Sequence, residues 1–326
     1  MRRLLLTAAT TTAAALALTA CGTTEPAADK KAEKTAESIT LTDSAGTKVV
    51  LDGPAKKVVG TEWNVVESLI SLGVDPVGVA DVKGYKAWDS AVPLKNDAKD
   101  IGTRGEPSVE TVAGLSPDLI VATSDLKPAV VKQLRKVAPV LELKSADGAD
   151  PIGQMTKNLD LIAQATGTTA EADRLKKDFD AKVEDGRKKL AAAGLAGAKY
   201  AFADGYLNAN QVSLRAYTGG SLIGAVSEKL GLKNAWTVQG DPAYGLGATD
   251  VEGLTKIGDV HFAYIGNDED PTSNPFTGVL TKDKVWTSLP FVKKGNVHRL
   301  PDGIWMFGGP ESMNKYIDSV VTELTK

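Results

Sequence analysis

The sequence predicts an α/β protein with two lobes and a helical segment between them. Three observations lead there. Short apolar strands alternate with capped helices over residues 39–150 and again over residues 194–326. Residues 151–193 carry helical periodicity with no strand signal. A segment of the first half, GEPSVETVAGLSPDLIVA from Gly105, is echoed in the second by GATDVEGLTKIGDVHFAY from Gly247.

The chain opens with Arg2 and Arg3, an apolar stretch over 4–20 and small residues before Cys21, the only cysteine. A positive start, a short apolar core and small residues at a cut site make a secretory signal over 1–20. Residues 21–38 hold Thr, Glu, Pro, Ala, Asp and Lys with almost no large apolar side chain, and read as a disordered linker. A hairpin follows from Ile39 to Leu51, turning at Ala45-Gly46. Strands are expected at 58–60, 77–80 and 119–122, and helices at 65–72 and from Ser108 through Leu115. Met155, Leu159, Ile162 and Thr166 share one helical face, so a helix is expected over about 151–166, with a second after Gly167. In the second lobe the strands are placed at 200–204 and 260–265, and the helices at 221–230 and 310–324.

In the repeat, Ser108 and Asp250 are both N-cap types, and Glu110 and Glu252 both sit at the second helical position. A first-turn carboxylate there complements the helix dipole by roughly 0.3–1 kcal/mol. That account leaves room for a second role.

Composition excludes several functions. The formal net charge is −3, and removal of Arg2 and Arg3 with the signal makes it −5, which argues against nucleic acid. His261 and His298 lie far apart in the chain and read as structural or solvent-facing. No HExxH, GxSxG or P-loop occurs, so neither a hydrolase nor a protein-made transition-metal site is expected. The acidic run Asp268-Glu269-Asp270 reads as a solvated loop.

Aromatic residues and arginines do gather at element ends. Trp63 follows the first strand, and Trp88 and Arg104 lie in Gly-containing loops. Arg215 and Tyr217 follow the second-lobe strand. Tyr244 lies in a Gly/Pro loop, and Trp305 and Phe307 lie before Gly308-Gly309. Ligands of open α/β sheets bind beyond the carboxyl ends of strands. Arginine supplies planar donors for oxygen-rich groups, and aromatic rings supply rigid walls. Such a set suits a bulky, partly apolar ligand studded with oxygens.

With its lipobox Leu18-Thr19-Ala20-Cys21 and the segments ESLISLGVDPVGVAD, IGTRGEPSVETVAGLSPDLIVATSD, GGSLIGAVSEKLGLKNAW and VWTSLPFVKKGNVHRLPDGIWMFGG, the chain resembles the iron–siderophore substrate-binding lipoproteins of ABC importers. The resemblance implies two Rossmann-like lobes on one rigid backbone helix, with the ligand cleft between them. It implies lipidation of Cys21, a location on the outer face of a bacterial cell membrane, and no enzymatic activity. The ligand would be a ferric siderophore, hydroxamates favoured, with iron held wholly by the siderophore and no cofactor or metal ligand from the protein. Arg104 would approach the iron-bound oxygens. Arg215 and Tyr217 would assist, and Trp63, Trp88, Tyr244, Trp305 and Phe307 would form the walls. Glu110 and Glu252 would dock the monomer on a permease coupled to an ATPase. Tyr244 stands where relatives can carry Trp, and Phe307 where they can carry Tyr. Ser124-Asp125-Leu126 replaces an aromatic that some relatives carry after the 119–122 strand. Haem and cobalamin are the rival ligands of this fold, and a lipid-anchored surface hydrolase is the rival of another class.

Overall fold

A computed structural model describes residues 38–209 and 211–326; the signal, Cys21 and nearly all of the linker lie outside the described residues. Strands β1 (Ile39–Thr42) and β2 (Lys48–Leu51) form the antiparallel hairpin, turned at Gly46 with φ 78°. Strands β3 (Val58–Gly60), β4 (Gly78–Val79), β5 (Lys99–Asp100), β6 (Leu119–Thr123) and β7 (Val140–Leu143) build a five-stranded parallel sheet in the order β5-β4-β3-β6-β7. Helices α1 (Trp63–Ser71), α2 (Val82–Trp88), α3 (Val109–Gly114) and α4 (Pro128–Leu134) alternate with these strands. Every residue of β6 is buried. A central parallel strand covered on both faces reads as a continuous apolar run, as LIVA does here.

Helix α5 (Pro151–Thr166) follows. Asp150 caps it by accepting from Gly153 N at 3.1 Å, and Gly167 closes it in the left-handed region at φ 72°. Helix α6 (Thr169–Ala192) comes next. The second lobe holds β8 (Lys199–Asn208), β9 (Gln211–Tyr217), α7 (Leu222–Lys229), β10 (Lys233–Asn234), β11 (Leu246–Thr249), β12 (His261–Ile265), α8 (Lys284–Ser288), α9 (Pro290–Lys293), β13 (Val297–Arg299) and α10 (Pro310–Leu324). Its sheet runs β11-β9-β8-β12-β13, with β10 also on β8.

This second sheet departs from the βα alternation read in the sequence. Strands β8, β12 and β13 are parallel, but β9 runs antiparallel to both of its neighbours, β8 and β11. Asn208 pairs with Gln211, so β8 turns straight back into β9, and a connection that short permits only an antiparallel neighbour. The repeat survives in a modified form. Ser108 Oγ accepts from Thr111 N at 3.2 Å and Asp250 Oδ1 accepts from Gly253 N at 2.8 Å. The second copy, however, is a 3-10 turn over Glu252–Lys256 rather than an α-helix.

Helix α5 packs on α1 and β1 of the first lobe and on α7 of the second. Its Leu159, Ile162 and Ala163 are fully buried, and each large side chain contributes roughly 2 kcal/mol through burial. One apolar cluster runs through both halves of the chain, joining Trp63, Val66, Ile70 and Tyr85 to Tyr200, Phe202, Tyr217, Trp305 and Tyr316. A polar knot lies beside it. Glu67 on α1 accepts from Ser312 N at 2.9 Å and Ser312 Oγ at 2.8 Å, and Asp89 lies 3.4 Å from that hydroxyl. Burial pushes the pKa of both carboxyls up. Among the described residues no helix is long and apolar enough to cross a membrane.

Candidate ligand cleft

The carboxyl ends of the first-lobe strands place Glu62 after β3, Arg104 after β5, Asp125 after β6 and Ser145 after β7. Facing them are Arg215, Tyr244, Trp305 and Phe307 from the second half of the chain. Glu62, Arg104 and Asp125 with these four residues enclose a cleft of about 260 Å³. This edge is where open α/β sheets bind ligands.

Arg104 is presented by a tight loop. Gly102 has φ 99°, and a Cβ there would stand 3.3 Å from Glu106 O, so only glycine turns the chain without strain. Gly102 and Pro107 form an isolated bridge that closes the loop, and Ser108 N donates to Ile101 O at 2.6 Å. The guanidinium lies 3.9 Å from the Trp63 ring centroid and 5.1 Å from that of Trp305. Its Nη1 donates to Glu62 Oε1 at 2.7 Å. Glu62 is itself the N-cap of α1, accepting from Trp63 N at 3.0 Å. The arginine is therefore stacked and tethered, and donors remain for a ligand.

Arg215 is held differently. It stands opposite Asp204 in the β8–β9 register and chelates that carboxylate through Nε, at 2.9 Å, and Nη2. Nη2 also donates to the Tyr206 hydroxyl at 3.0 Å, and the Tyr217 hydroxyl donates to Asp204 at 3.2 Å. Burial, reinforced by Asp204, pushes Tyr206 up to about 12, so it stays protonated at neutral pH. The Asp204 side chain is only 3% exposed and its oxygens are satisfied by Arg215 and Tyr217, whereas Arg215 is 36% exposed and lines the cleft.

Aromatic rings connect the two arginines. Trp63 meets Trp305 at 4.7 Å, Trp305 meets Phe307 at 5.1 Å, and Phe307 meets Tyr244 at 5.4 Å, all edge-on. The Tyr244 loop is fixed by Asp241, which accepts from the backbone N–H groups of Ala243, Tyr244 and Leu246 at 2.8–3.0 Å. The Tyr244 hydroxyl reaches across the cleft to donate to Asp125. Burial and that carboxylate push the phenol's pKa up, so it remains a donor.

Arg104, Arg215, Tyr244, Trp305 and Phe307 thus come together. Trp63 joins them from below. It is 4% exposed, with Nε1 donating to Ala80 O at 3.1 Å, and it reaches the cleft through Arg104. Two other residues expected to contact the ligand do not line the cleft. Trp88 ends helix α2, not a loop, and packs against the shared core, because the helix turns its ring inward beside the fully buried Tyr85. Tyr217 lies within β9, not after it, and is 1% exposed, its hydroxyl spent on Asp204. The histidines also differ from expectation. Parallel pairing of β12 with β13 brings His261 Nδ1 to 3.3 Å from His298 Nε2. Burial lowers both pKa values. Neither histidine lines the cleft.

Sequence reasoning missed Glu62, Asp125 and Asp204, the three carboxylates of the site. The signal for Asp204 was present: a β8–β9 hairpin read as such pairs it with Arg215. Glu110 and Glu252 are exposed, each near the start of its helical turn.

The family profile described as periplasmic binding protein matches residues 58–303, three quarters of the sequence. The chain belongs to that family. It is 24% identical over 262 residues to the iron(3+)-hydroxamate-binding protein FhuD of Escherichia coli, covering 80% of this chain and 84% of that one. It is 27% identical over 297 residues to the Fe(3+)-citrate-binding protein YfmC of Bacillus subtilis, covering 90% and 87%. Among solved structures, the FhuD of Vibrio cholerae with Fe3+-Desferal bound aligns with a TM-score of 0.72 and 25% identity, covering 83% of this chain and 98% of the other. The resemblance read in the sequence segments, to iron–siderophore substrate-binding proteins, therefore holds, as does the two-lobed α/β architecture.

Proposed function

We propose that this protein is the substrate-binding component of an ABC importer, capturing a ferric siderophore outside the cell and delivering it to a membrane permease. The observation that carries the reading is Arg104. It is pre-oriented by Trp63 and Glu62 at the mouth of an aromatic cleft, where its free donors meet an oxygen-rich ligand. The siderophore fills iron's coordination sphere, so the protein supplies donors and walls and no metal ligand. The names of the relatives, hydroxamate-binding and citrate-binding, support ferric complexes as the ligand class. The loop GTRGEP and its aromatic surroundings favour hydroxamates. Cys21 is the lipid anchor in this reading, which keeps the carrier beside its permease. Helix α5 and the shared core support a small closure on binding.

Glu110 and Glu252 are the docking carboxylates of this reading, one per lobe and both exposed. Titration of tryptophan fluorescence with ferric siderophores, haem and cobalamin tests the ligand. Saturable quenching by a ferric siderophore is expected, and a response to haem alone sinks the reading. The Glu110→Lys/Glu252→Lys double variant is expected to bind ligand normally and to abolish uptake in cells; normal uptake removes the docking role.

A further inference from the structure

The charges of the cleft do not favour an anion, although its two arginines invite that reading. Arg104 is paired with Glu62 at 2.7 Å. Arg215 is paired with Asp204 through two donors. The third carboxylate, Asp125, faces Tyr244 across the cleft and has no cationic partner within 4.0 Å among the described residues. Its backbone N–H bonds Ser145 Oγ at 3.1 Å, which fixes the loop that carries it. The lysines on neighbouring loops are also neutralised. Lys127 pairs with Glu106 at 3.0 Å, and Lys144 pairs with Asp147. The cleft wall therefore holds two guanidinium groups and two carboxylates, and Asp204, buried behind Arg215, brings the sum to one negative charge in excess.

Resting on the reading of this cleft as a ferric-siderophore site, we propose that it selects complexes that are neutral or cationic and rejects anionic ones, with Asp125 as the residue that reads ligand charge. Three singly charged hydroxamates neutralise Fe(III), and a pendant ammonium makes such a complex a cation. Three doubly charged catecholates leave a trianion, and citrate complexes are anionic too. An anion entering here must compete with Glu62 for Arg104 and approach Asp125 without compensation. A neutral tris-hydroxamate accepts hydrogen bonds from the spare donors of Arg104 without displacing Glu62. A pendant ammonium gains Asp125 as a partner.

The full chain is titrated by tryptophan fluorescence with ferrioxamine B, which carries an ammonium, with its neutral N-acetyl form, and with ferric enterobactin and ferric citrate. Ferrioxamine B is expected to bind tightest and the anionic complexes at least about tenfold more weakly than the N-acetyl form. Asp125→Asn is expected to shrink the preference for ferrioxamine B over the N-acetyl form by roughly threefold to tenfold, an effect that falls with added salt. An anionic complex that binds as tightly as the neutral one overturns the charge selection and leaves the siderophore reading standing. An unchanged cation-to-neutral ratio in Asp125→Asn overturns the role of that residue. Binding of none of the four complexes overturns the reading of the cleft itself.

Discussion

The two cleft arginines look alike by exposure, at 35% and 36% of the side chain, yet they are held in opposite ways. Arg104 lies flat on Trp63 and donates to one oxygen of a carboxylate that is 17% exposed. Arg215 chelates both oxygens of a carboxylate that is 3% exposed and already bonded by Tyr217. The first arrangement orients a cation and leaves donors free. The second commits Nε and Nη2, and only Nη1 is without a partner among the described residues. Exposure alone does not tell a ligand-binding arginine from a structural one; what the partner needs does. In the proposed function Arg104 is the main recognition donor, and Arg215 holds Asp204 while lining the same cleft.

The sharpest way to break this contrast is to remove each arginine in turn. Arg215→Ala leaves Asp204 without a cation and is expected to cost about 2–4 kcal/mol of stability, read by urea denaturation. Arg104→Ala releases a half-exposed pair and is expected to cost about 1 kcal/mol or less. In ferric-siderophore titrations the order reverses. Arg104→Ala is expected to weaken binding by about 1.5–3 kcal/mol, the scale of hydrogen bonds to charged groups. Equal stability losses, or unchanged affinity in Arg104→Ala, dissolve the distinction.

A smaller effect separates this paired chemistry from the unpaired acids of the core. Glu67 and Asp89 have pKa values raised above their ordinary 4.5 and 3.8, because burial disfavours the charged forms, Glu67 repels the charge of Asp89 and Glu311 that of Glu67. The folded protein then binds more protons than the unfolded chain as pH rises above the ordinary carboxylate range. Stability is fully present below that range and is lost as pH climbs toward the raised values. Asp89→Asn removes one charge and is expected to flatten this loss, leaving the variant more stable than wild type near pH 7. Urea midpoints compared near pH 5 and pH 8 check it. Parallel pH slopes in variant and wild type count against the account.

Several elements of both lobes were legible because their signals are local. Val58-Val59-Gly60 is a strand as written, Ser108 caps α3, and the final helix spans Pro310–Leu324. Helix α2 was hidden by Gly84, which weakens a helical pattern, and by Trp88, an aromatic that reads equally well as a loop anchor. The arginine and aromatic members of the site were visible as residue types at element ends. Their carboxylate partners were not. Glu62 and Asp125 are ordinary cap and loop residues until folding brings Arg104 and Tyr244 to them, over separations of 42 and 119 residues. The contact of His261 with His298 likewise depends on which strands become neighbours.

Glu67 and Ser312 are 245 residues apart, and the second supplies the hydrogen bonds that make burial of the first tolerable. Helix α10 therefore completes an interior that α1 begins. A chain emerging from its amino end has no way to close this core until its last turns have appeared, since the early half lacks both the polar partner and the rings that cover it. Closure of the shared cluster is thus a late, long-range step, while each part of the chain also carries apolar clusters of its own. The same linkage couples the two halves, so cutting the chain between α5 and α6 should destabilise the cluster they share.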